Sequence, residues 1–195
     1  MSMMRMVFLA ACVFVLASPT ASAESLTFRV PAELAPVPMP PLDAERNAAR
    51  DVRVSRHEAQ SGRGMLRIIF ADLPINGRLG TESVGTIARG TSASVGGATC
   101  VEHSASEVRE FVIDGRDAAE FTLVCRGLIV GGSTEPQTIN VRRTVLVRGE
   151  TRFYNFQADE YAPMATLDAA ASAARWDEVV ASLRWCADGA ACEAR

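Results

Sequence analysis

Alternating apolar and polar positions occupy most of the chain from Arg50 to Phe156, and this period of two predicts antiparallel strands. The segments DVRVS and MLRIIFADL predict two strands, and three more are expected near residues 99–103, 107–113 and 118–125. Asp114-Gly115 fits a two-residue hairpin turn, because type I′ turns need positive φ angles at both central residues. The strands and this hairpin predict an antiparallel sheet.

A second hairpin is predicted in TINVRRTVLVRGETRFYNF, with Gly149-Glu150 as its turn. If Arg148 lies opposite Thr151, one face of this hairpin is apolar and contains Ile139, Val141, Val145, Val147, Tyr154 and Phe156. Arg143 falls on the same face, where an unpaired charge would cost several kcal/mol. Two interpretations stay open: a structural ion pair or bulge that accommodates Arg143, or a contact with an anion or ligand inside a pocket.

Helical spacing appears in two places. Near the C-terminus, the apolar positions recur at i, i+3, i+4, i+7 and i+11, at Trp176, Val179, Val180, Leu183 and Ala187. This pattern predicts an amphipathic helix that is capped by Thr166 or Asp168 and ends at Asp188-Gly189. A shorter helix interrupted by glycines is predicted between Leu79 and Val95. The predicted fold class is therefore α+β, an antiparallel β-sheet packed by these two helices.

The order of elements between Met65 and Trp185, with a closing apolar-Ser-apolar-basic pattern at Val180-Ala181-Ser182-Leu183-Arg184, resembles PsbP-like exported α/β/α domains. This resemblance implies a binding or assembly role more than an enzyme. It assigns no catalytic residue to any position of this sequence.

The N-terminal segment has the three parts of a secretory signal peptide. Arg5 precedes an apolar run from Met6 to Ala17, and Ala21-Ser22-Ala23 forms a small-residue cleavage site. We therefore expect cleavage after Ala23 and a periplasmic or secreted protein, since the apolar run is too short to span a membrane. The alternative is a lipid anchor at Cys12 of LAAC, although that site leaves an unusually short apolar run before it.

The predicted organisation has three parts: a signal peptide in residues 1–23, an N-terminal strand and proline-rich linker in residues 24–49, and a single α+β domain in residues 50–195. The strand is LTFRV, and the linker is defined by five prolines between Pro31 and Leu42, which favour extended geometry. The domain is long enough for a sizeable core.

Four cysteines follow the leader, and in an oxidising compartment they predict two disulfides with three possible connectivities. We favour Cys186 with Cys192 as a clasp at the end of the closing helix, and Cys100 with Cys125. A simple meander would place a strand between Cys100 and Cys125, too far for a bond, so either the strand order is not sequential or the connectivity differs. The spacing of Cys186 and Cys192 disfavours both zinc and thioredoxin-like redox motifs.

Composition excludes several functions. All 20 basic residues are arginine, so the chain has no amine for Schiff-base, P-loop or Ser-x-x-Lys chemistry. The chain after Ala23 has a net charge of −4, with 19 Arg against 23 Asp and Glu, which argues against nucleic acid as a partner. We assign no catalytic residue, cofactor or metal ligand.

The sequence thus predicts a non-catalytic domain that binds a small ligand or an envelope protein, or that supports an envelope assembly. Two alternatives stay open. One is a small periplasmic hydrolase that uses His103 or His57, the only histidines in the chain. The other is a periplasmic inhibitor or immunity-type protein, which would need an exposed apolar patch.

Overall fold

The computed structural model describes residues 24–61, 64–130 and 133–186 and contains ten strands and five helices in that part of the chain. The strands are β1 (Ser25–Thr27), β2 (Ala35–Pro36), β3 (Arg53–Ser61), β4 (Gly64–Pro74), β5 (Cys100–Ala105), β6 (Arg109–Ile113), β7 (Arg116–Val130), β8 (Ser133–Arg148), β9 (Arg152–Pro163) and β10 (Arg184–Cys186). The helices are α1 (Pro41–Ala48), α2 (Gly77–Thr81), α3 (Val84–Thr99), α4 (Ala169–Arg175) and α5 (Asp177–Ala181). The predicted α+β class is confirmed.

One eight-stranded antiparallel sheet forms the centre of the fold, with the order β2-β3-β4-β9-β8-β7 and then both β5 and β6 on the outer edge of β7. β7 is long enough to pair with β6 near its start and with β5 near its end. No strand therefore separates β5 from β7. This answers the geometric objection to the Cys100–Cys125 pair, since the order is not a simple meander.

The two faces of the sheet are covered differently. On the first, which we call the covered face, the N-terminal segment, α4, α5 and the residues that follow α5 pack against a large apolar cluster that includes Val145, Tyr154, Phe156 and Trp176. On the second, the α3 face, a smaller cluster around Phe121, Leu146 and Phe153 packs against α3. Because side chains alternate along a strand, neighbours such as Leu146 and Val147 belong to different clusters.

Both predicted hairpins form. Asp114 and Gly115 have φ angles of 47° and 83°, as the type I′ prediction requires, and Ile113 pairs with Arg116. In the β8–β9 hairpin, however, Arg148 pairs with Phe153 rather than Thr151, so the predicted two-residue turn is wrong. The pairing of the two strands is shifted by two residues. Because side chains alternate along a strand, this shift leaves the same residues on the apolar face.

A carboxylate inside the β8–β9 turn accounts for the wider loop. Glu24 accepts hydrogen bonds from the backbone N–H groups of Glu150, Thr151 and Arg152, at 2.8, 2.7 and 2.5 Å. Three amides that converge on one anion form an anion-binding concavity, which a two-residue turn would not provide. Gly149 is also required, since a Cβ there would lie 2.4 Å from Trp185 and 2.7 Å from Glu24.

The predicted closing helix is divided. α4 begins after Asp168, whose side chain accepts hydrogen bonds from the N–H groups of Ala170 and Ala171 as a predicted cap does. The helical structure ends with α5 at Ala181, so the predicted extension to Asp188-Gly189 is wrong for the described residues after Ala181. The chain instead forms β10, which pairs with β1 in a separate two-stranded sheet.

The glycine-interrupted helix is the longest helix of the described chain rather than the shorter one. α3 spans 16 residues and is preceded by Ser83, whose hydroxyl accepts a hydrogen bond from the N–H of Thr86 at 3.1 Å. Gly85 lies beside the carboxylate of Glu110 on β6, since a Cβ there would lie 2.1 Å from it. The helix thus continues through Gly85 and Gly90 despite the low helix propensity of glycine.

The N-terminal segment is folded onto the domain. β1 pairs with β10, β2 extends the main sheet, and the first residue of α1 is Pro41, a residue well suited to that position. Leu26 and Leu34 are buried in the core cluster of the covered face. The proline-rich stretch therefore connects elements that contact the sheet.

Candidate binding site

A buried carboxylate between two arginines is the most concentrated polar feature of the α3 face. Asp159, on β9, is fully buried and lies directly between Arg67 on β4 and Arg142 on β8. Arg67 donates to Asp159 Oδ2 through Nε at 3.1 Å and Nη2 at 2.7 Å, and Arg142 donates through Nε to Oδ1 at 2.6 Å. We call Arg67 and Arg142 the arginine pair, and Asp159 is the carboxylate that they share.

Tyr161 and Asn140 complete the hydrogen bonding of Asp159. The Tyr161 hydroxyl accepts a hydrogen bond from Arg67 Nη2 and donates to Asp159 Oδ2 at 3.3 Å. The Asn140 amide donates to Asp159 Oδ1 at 3.4 Å. A buried carboxylate with donors on both oxygens is held in one orientation, and it holds both guanidinium groups in turn.

The electrostatics fix the protonation states of Arg142 and Tyr161. Burial by itself lowers the pKa of Arg142, but the charge and hydrogen bond of Asp159 outweigh it, so the pKa is raised above its ordinary value. Burial, followed by the negative charge of Asp159, raises the pKa of Tyr161. Arg142 therefore stays charged and Tyr161 stays protonated at neutral pH.

The arginine pair retains capacity for another acceptor. The Arg67 and Arg142 side chains are each 17% exposed, whereas Asp159 is 0% exposed. Nη1 of Arg67 has no acceptor in the part of the chain that the structure describes. The neighbouring Glu58 is occupied by Arg56, which donates through Nε at 2.6 Å. Glu58 lies opposite Arg67, and Arg56 lies two residues before Glu58 on the same face. The group Arg56, Glu58, Arg67, Asp159 and Arg142 thus has three arginines, two carboxylates and one excess positive charge.

The surface around the arginine pair is half exposed. α3 packs against β5, β6, β7 and β8, so on the same face the side chains of β3, β4 and β9 are less covered. We call this surface the open face, and its half-exposed residues are Val54, Arg56, Glu58, Met65, Arg67, Ile69, Asn155, Gln157 and Tyr161. Apolar and polar side chains alternate there, with Arg67 among them and Arg142 at the border, on β8.

A pocket adjoins this surface at the end of β9. It has a volume of about 250 Å³ and is lined by Gln60, Gly64, Met65, Thr138, Tyr161, Ala162 and Pro163. Tyr161 links the pocket to the arginine pair, because its ring lines the pocket and its hydroxyl contacts Arg67 and Asp159. Gly64 is needed for the wall, since a Cβ there would lie 2.0 Å from the carbonyl oxygen of Tyr161.

Arg143, the residue singled out from the sequence, lies on the covered face. Its Nη2 contacts Glu120 at 3.1 Å and its Nη1 forms an ion pair with Asp177, while a further bond at 3.4 Å reaches the carbonyl of Ala173. Burial by itself lowers the pKa of Arg143, but these carboxylates outweigh it and raise the pKa. Arg143 thus connects the sheet to α4 and α5.

The two histidines lie on opposite faces of the sheet. His57 is opposite Ile68 on the covered face, and its Nδ1 is buried without a hydrogen-bond partner. His103 is an exposed residue opposite Cys125 on the α3 face. Among the described residues, no serine or carboxylate forms a hydrogen bond with either histidine. Ser83, in TESVGT, caps α3 through its hydroxyl.

Two of the four candidate cysteines form the predicted disulfide. Cys100 and Cys125 are bonded, with Cα atoms 5.3 Å apart, and they connect the end of α3 to the centre of β7. Cys186 is also disulfide-bonded, and it lies in β10 rather than beside a helical glycine stop. Cys192 lies outside the described residues, so the pairing of Cys186 with Cys192 stays a prediction.

The predicted signal peptide and the alternative lipid anchor at Cys12 also lie outside the described residues. Within the described ranges, no helix has the length and apolarity needed to cross a membrane. No group of three or more His, Cys, Asp and Glu side chains suited to a metal ion occurs among residues 24–61, 64–130 and 133–186.

Sequence reasoning did not find the arginine pair and its carboxylate. It placed Arg142 on the polar face of the β8–β9 hairpin, but nothing showed that β4 pairs with β9 and brings Arg67 beside Asp159. The available sign was the presence of charged residues in apolar strands, Arg67 and Asp72 in MLRIIFADL and Asp159 and Glu160 in FYNFQADEY. Such residues need partners when they are buried.

Comparison with known proteins finds similarity to solved structures. No protein-family model matches the chain, and no curated protein matches it. A solved structure titled "Crystal structure of LpqN involved in cell envelope biogenesis of Mycobacterium tuberculosis" aligns over 87% of both chains with 9% sequence identity and a TM-score of 0.49. This similarity does not define a family, and the resemblance to PsbP-like domains is not confirmed.

Proposed function

We propose that this chain is an exported, non-catalytic domain that binds a small-molecule ligand on the open face. One observation carries the proposal: two arginines, each 17% exposed, are fixed by a fully buried carboxylate in a part of the sheet that α3 covers less. Groups that are already held in place lose little conformational freedom when a ligand binds, so such an arrangement favours binding.

The pocket beside Tyr161 supports a ligand of small size. Its volume of about 250 Å³ is slightly below the range of typical small-molecule sites, about 300 to 1,000 Å³. A ligand would therefore place one part in the pocket and extend the rest over the open face. Met65 and Ile69 supply apolar contacts there, and Gln157 supplies a side-chain amide.

Binding is favoured over hydrolysis by the positions of the histidines. His57 faces the covered face and His103 faces the α3 face, so the sheet separates them. A general base must lie within hydrogen-bond reach of the group from which it takes a proton, and neither histidine contacts a described serine. The export step and a role in the cell envelope are parts of the same proposal, and they rest on the predicted leader.

The binding proposal is tested by titrating the isotope-labelled mature protein with a set of small-molecule fragments and following its backbone amide resonances. We expect the shifts to concentrate on the amides of Arg67, Ile69, Gln157 and Tyr161. Shifts that are absent, scattered or centred on the α2–α3 pocket around Arg78 and Thr91 would overturn the proposal.

The hydrolase alternative has a separate test. The mature protein and its His57→Ala and His103→Ala variants are assayed with p-nitrophenyl acetate at neutral pH. We expect the same slow background rate for all three proteins. A rate that falls at least tenfold in one variant, while its circular dichroism spectrum is unchanged, would establish a catalytic histidine.

A further inference from the structure

We infer that the arginine pair binds a compact oxyanion, a carboxylate or phosphate group, and that Asp159 serves as its fixed internal counter-ion. This inference rests on the proposed function and specifies which chemical group of the ligand is recognised at the open face. Nothing in the comparisons assigns such a site.

Charge supports an anion. Arg67 and Arg142 share the single carboxylate of Asp159, and Glu58 forms an ion pair with Arg56, so this group of five charged side chains has one excess positive charge. Excess charge in a half-buried position is poorly screened by salt and solvent. An incoming anion would balance it, whereas a cation would meet repulsion from both guanidinium groups.

Geometry supports a planar or tetrahedral oxyanion. Each guanidinium is held through its Nε, and Arg67 also through Nη2, so Nη1 of Arg67 remains as an oriented donor. An N–H donor of a charged guanidinium forms a short, charge-assisted hydrogen bond with a carboxylate or phosphate oxygen. The Arg67 guanidinium carbon also lies 4.8 Å from the centre of the Tyr161 ring, which limits its movement further.

The hydrogen bonds of Asp159 explain why its carboxylate does not fill the site. Asp159 is 0% exposed, and both of its oxygens already accept hydrogen bonds from Arg67, Arg142, Tyr161 and Asn140. Its oxygens therefore orient the arginines from below the surface and do not reach the outer N–H groups. The ligand would approach from the open side, next to the pocket that Tyr161 lines.

The test measures the binding of inorganic phosphate and of acetate to the mature protein by isothermal titration calorimetry at pH 7, with ionic strength held constant by sodium chloride. We expect saturable binding of at least one probe. Removal of a charge-assisted hydrogen bond should lower the affinity about tenfold to hundredfold in Arg142→Gln. The control Arg89→Gln removes an equal charge from an exposed ion pair with Glu110 and should bind as the wild type does.

A second variant covers the case in which Arg142→Gln does not fold. Arg67→Lys keeps the positive charge and loses the planar fork, so we expect a folded protein with at least fivefold weaker binding. Equal affinity in the wild type and Arg67→Lys, or equal losses in Arg89→Gln and Arg142→Gln, would overturn the inference.

The outcomes separate the inference from the proposed function. If neutral fragments shift the open-face resonances but neither anion binds, the oxyanion assignment is wrong and the binding function stands. If neither fragments nor anions bind there, both are wrong. Stronger binding of phosphate than of acetate would identify the ligand group as a phosphate, and the reverse order would identify a carboxylate.

Discussion

Arg142 and Arg143 are adjacent in β8, yet they lie on opposite faces of the sheet in clusters of different charge. Arg143 and Arg109 share the covered face with Glu120 and Asp177, so two positive charges meet two negative ones. Arg142 belongs to a group of three arginines and two carboxylates on the α3 face, which extends over two neighbouring rows of the sheet. A balanced cluster suits a fixed contact between elements, whereas an unbalanced one suits recognition of an outside charge.

The arginines of the two clusters differ little in solvent access. Glu120 and Arg143 are each 12% exposed, with α4 and α5 over them, and Arg67 and Arg142 are each 17% exposed. The elements that cover them differ, because α3 packs mainly on β5 and β7. Under the proposal, position in the sheet, rather than residue type, decides whether a buried arginine connects parts of the fold or contacts a ligand.

The largest effect is expected from Asp159→Asn. This change leaves Arg67 and Arg142 half buried without their shared carboxylate, and breaking a buried pair typically costs about 3 to 5 kcal/mol. Urea denaturation measures the loss as a lower midpoint at an unchanged slope. The matched control is Asp177→Asn on the covered face, whose carboxylate is 64% exposed and should contribute less than about 1 kcal/mol. Equal losses in the two variants would contradict the comparison.

A smaller loss is expected from Arg143→Gln on the covered face. Glu120 keeps Arg109 at 2.6 Å, so only part of its pairing is lost, and we expect about 1 to 3 kcal/mol. The same urea experiment measures this change. Anion binding should be unaffected, because Arg143 lies on the other side of the sheet. A simultaneous loss of phosphate or acetate binding would show that the two clusters are not independent.

Acid sensitivity is expected at the edge of the covered face, where Glu24 occupies the β8–β9 turn. Partial burial raises the pKa of Glu24, but the N–H groups of Glu150, Thr151 and Arg152 together lower it below its ordinary value of 4.5. The contribution of Glu24 to stability is therefore complete above about pH 4.5 and is lost as the pH falls through the lower pKa of the folded state.

The variant Glu24→Gln tests this assignment. Its stability loss should be largest at neutral pH, about 1 kcal/mol, and should diminish towards pH 3, because the wild-type carboxyl is then protonated. Stability is measured by urea denaturation between pH 3 and pH 7. A loss that is constant across this range would show that the charge of Glu24 does not stabilise the turn.

The smallest effect is expected at the start of α3, the helix that limits the open face. Ser83→Ala removes the hydroxyl that accepts from the N–H of Thr86, and loss of such a cap costs about 1 kcal/mol. The control Ser94→Ala alters an exposed hydroxyl within the same helix and should leave stability unchanged or slightly higher. An equal loss in both variants would show that Ser83 has no special role as a cap.

The sequence predicted the parts of the fold that depend on local chemistry. Asp114-Gly115 specifies its turn through positive φ angles, and the period of two in LVRGETRFYNF gives the correct apolar face despite the wrong turn length. The turn length depends on Glu24, which is far away in sequence. The end of the closing helix depends similarly on β1, because pairing with Ser25–Thr27 draws Arg184–Cys186 into a strand.

The candidate site was not predictable for the same physical reason. Arg67, Asp159 and Arg142 come from three strands, and their contact exists only when β4, β9 and β8 lie side by side in register. Each residue alone is an ordinary charge in a strand pattern. Arg143 was recognisable because its conflict with an apolar face is visible within one hairpin, whereas the position of Arg142 on a polar face gave no reason to single it out.

The most direct test of this account is an NMR titration that follows the side-chain Nε–H resonances of Arg142 and Arg143 together as inorganic phosphate or acetate is added at constant ionic strength. The account predicts saturable shifts for Arg142 and Arg67 with one of the anions, while Arg143 stays unchanged. Parallel shifts of Arg142 and Arg143, or no shift of Arg142 with either anion, would contradict it.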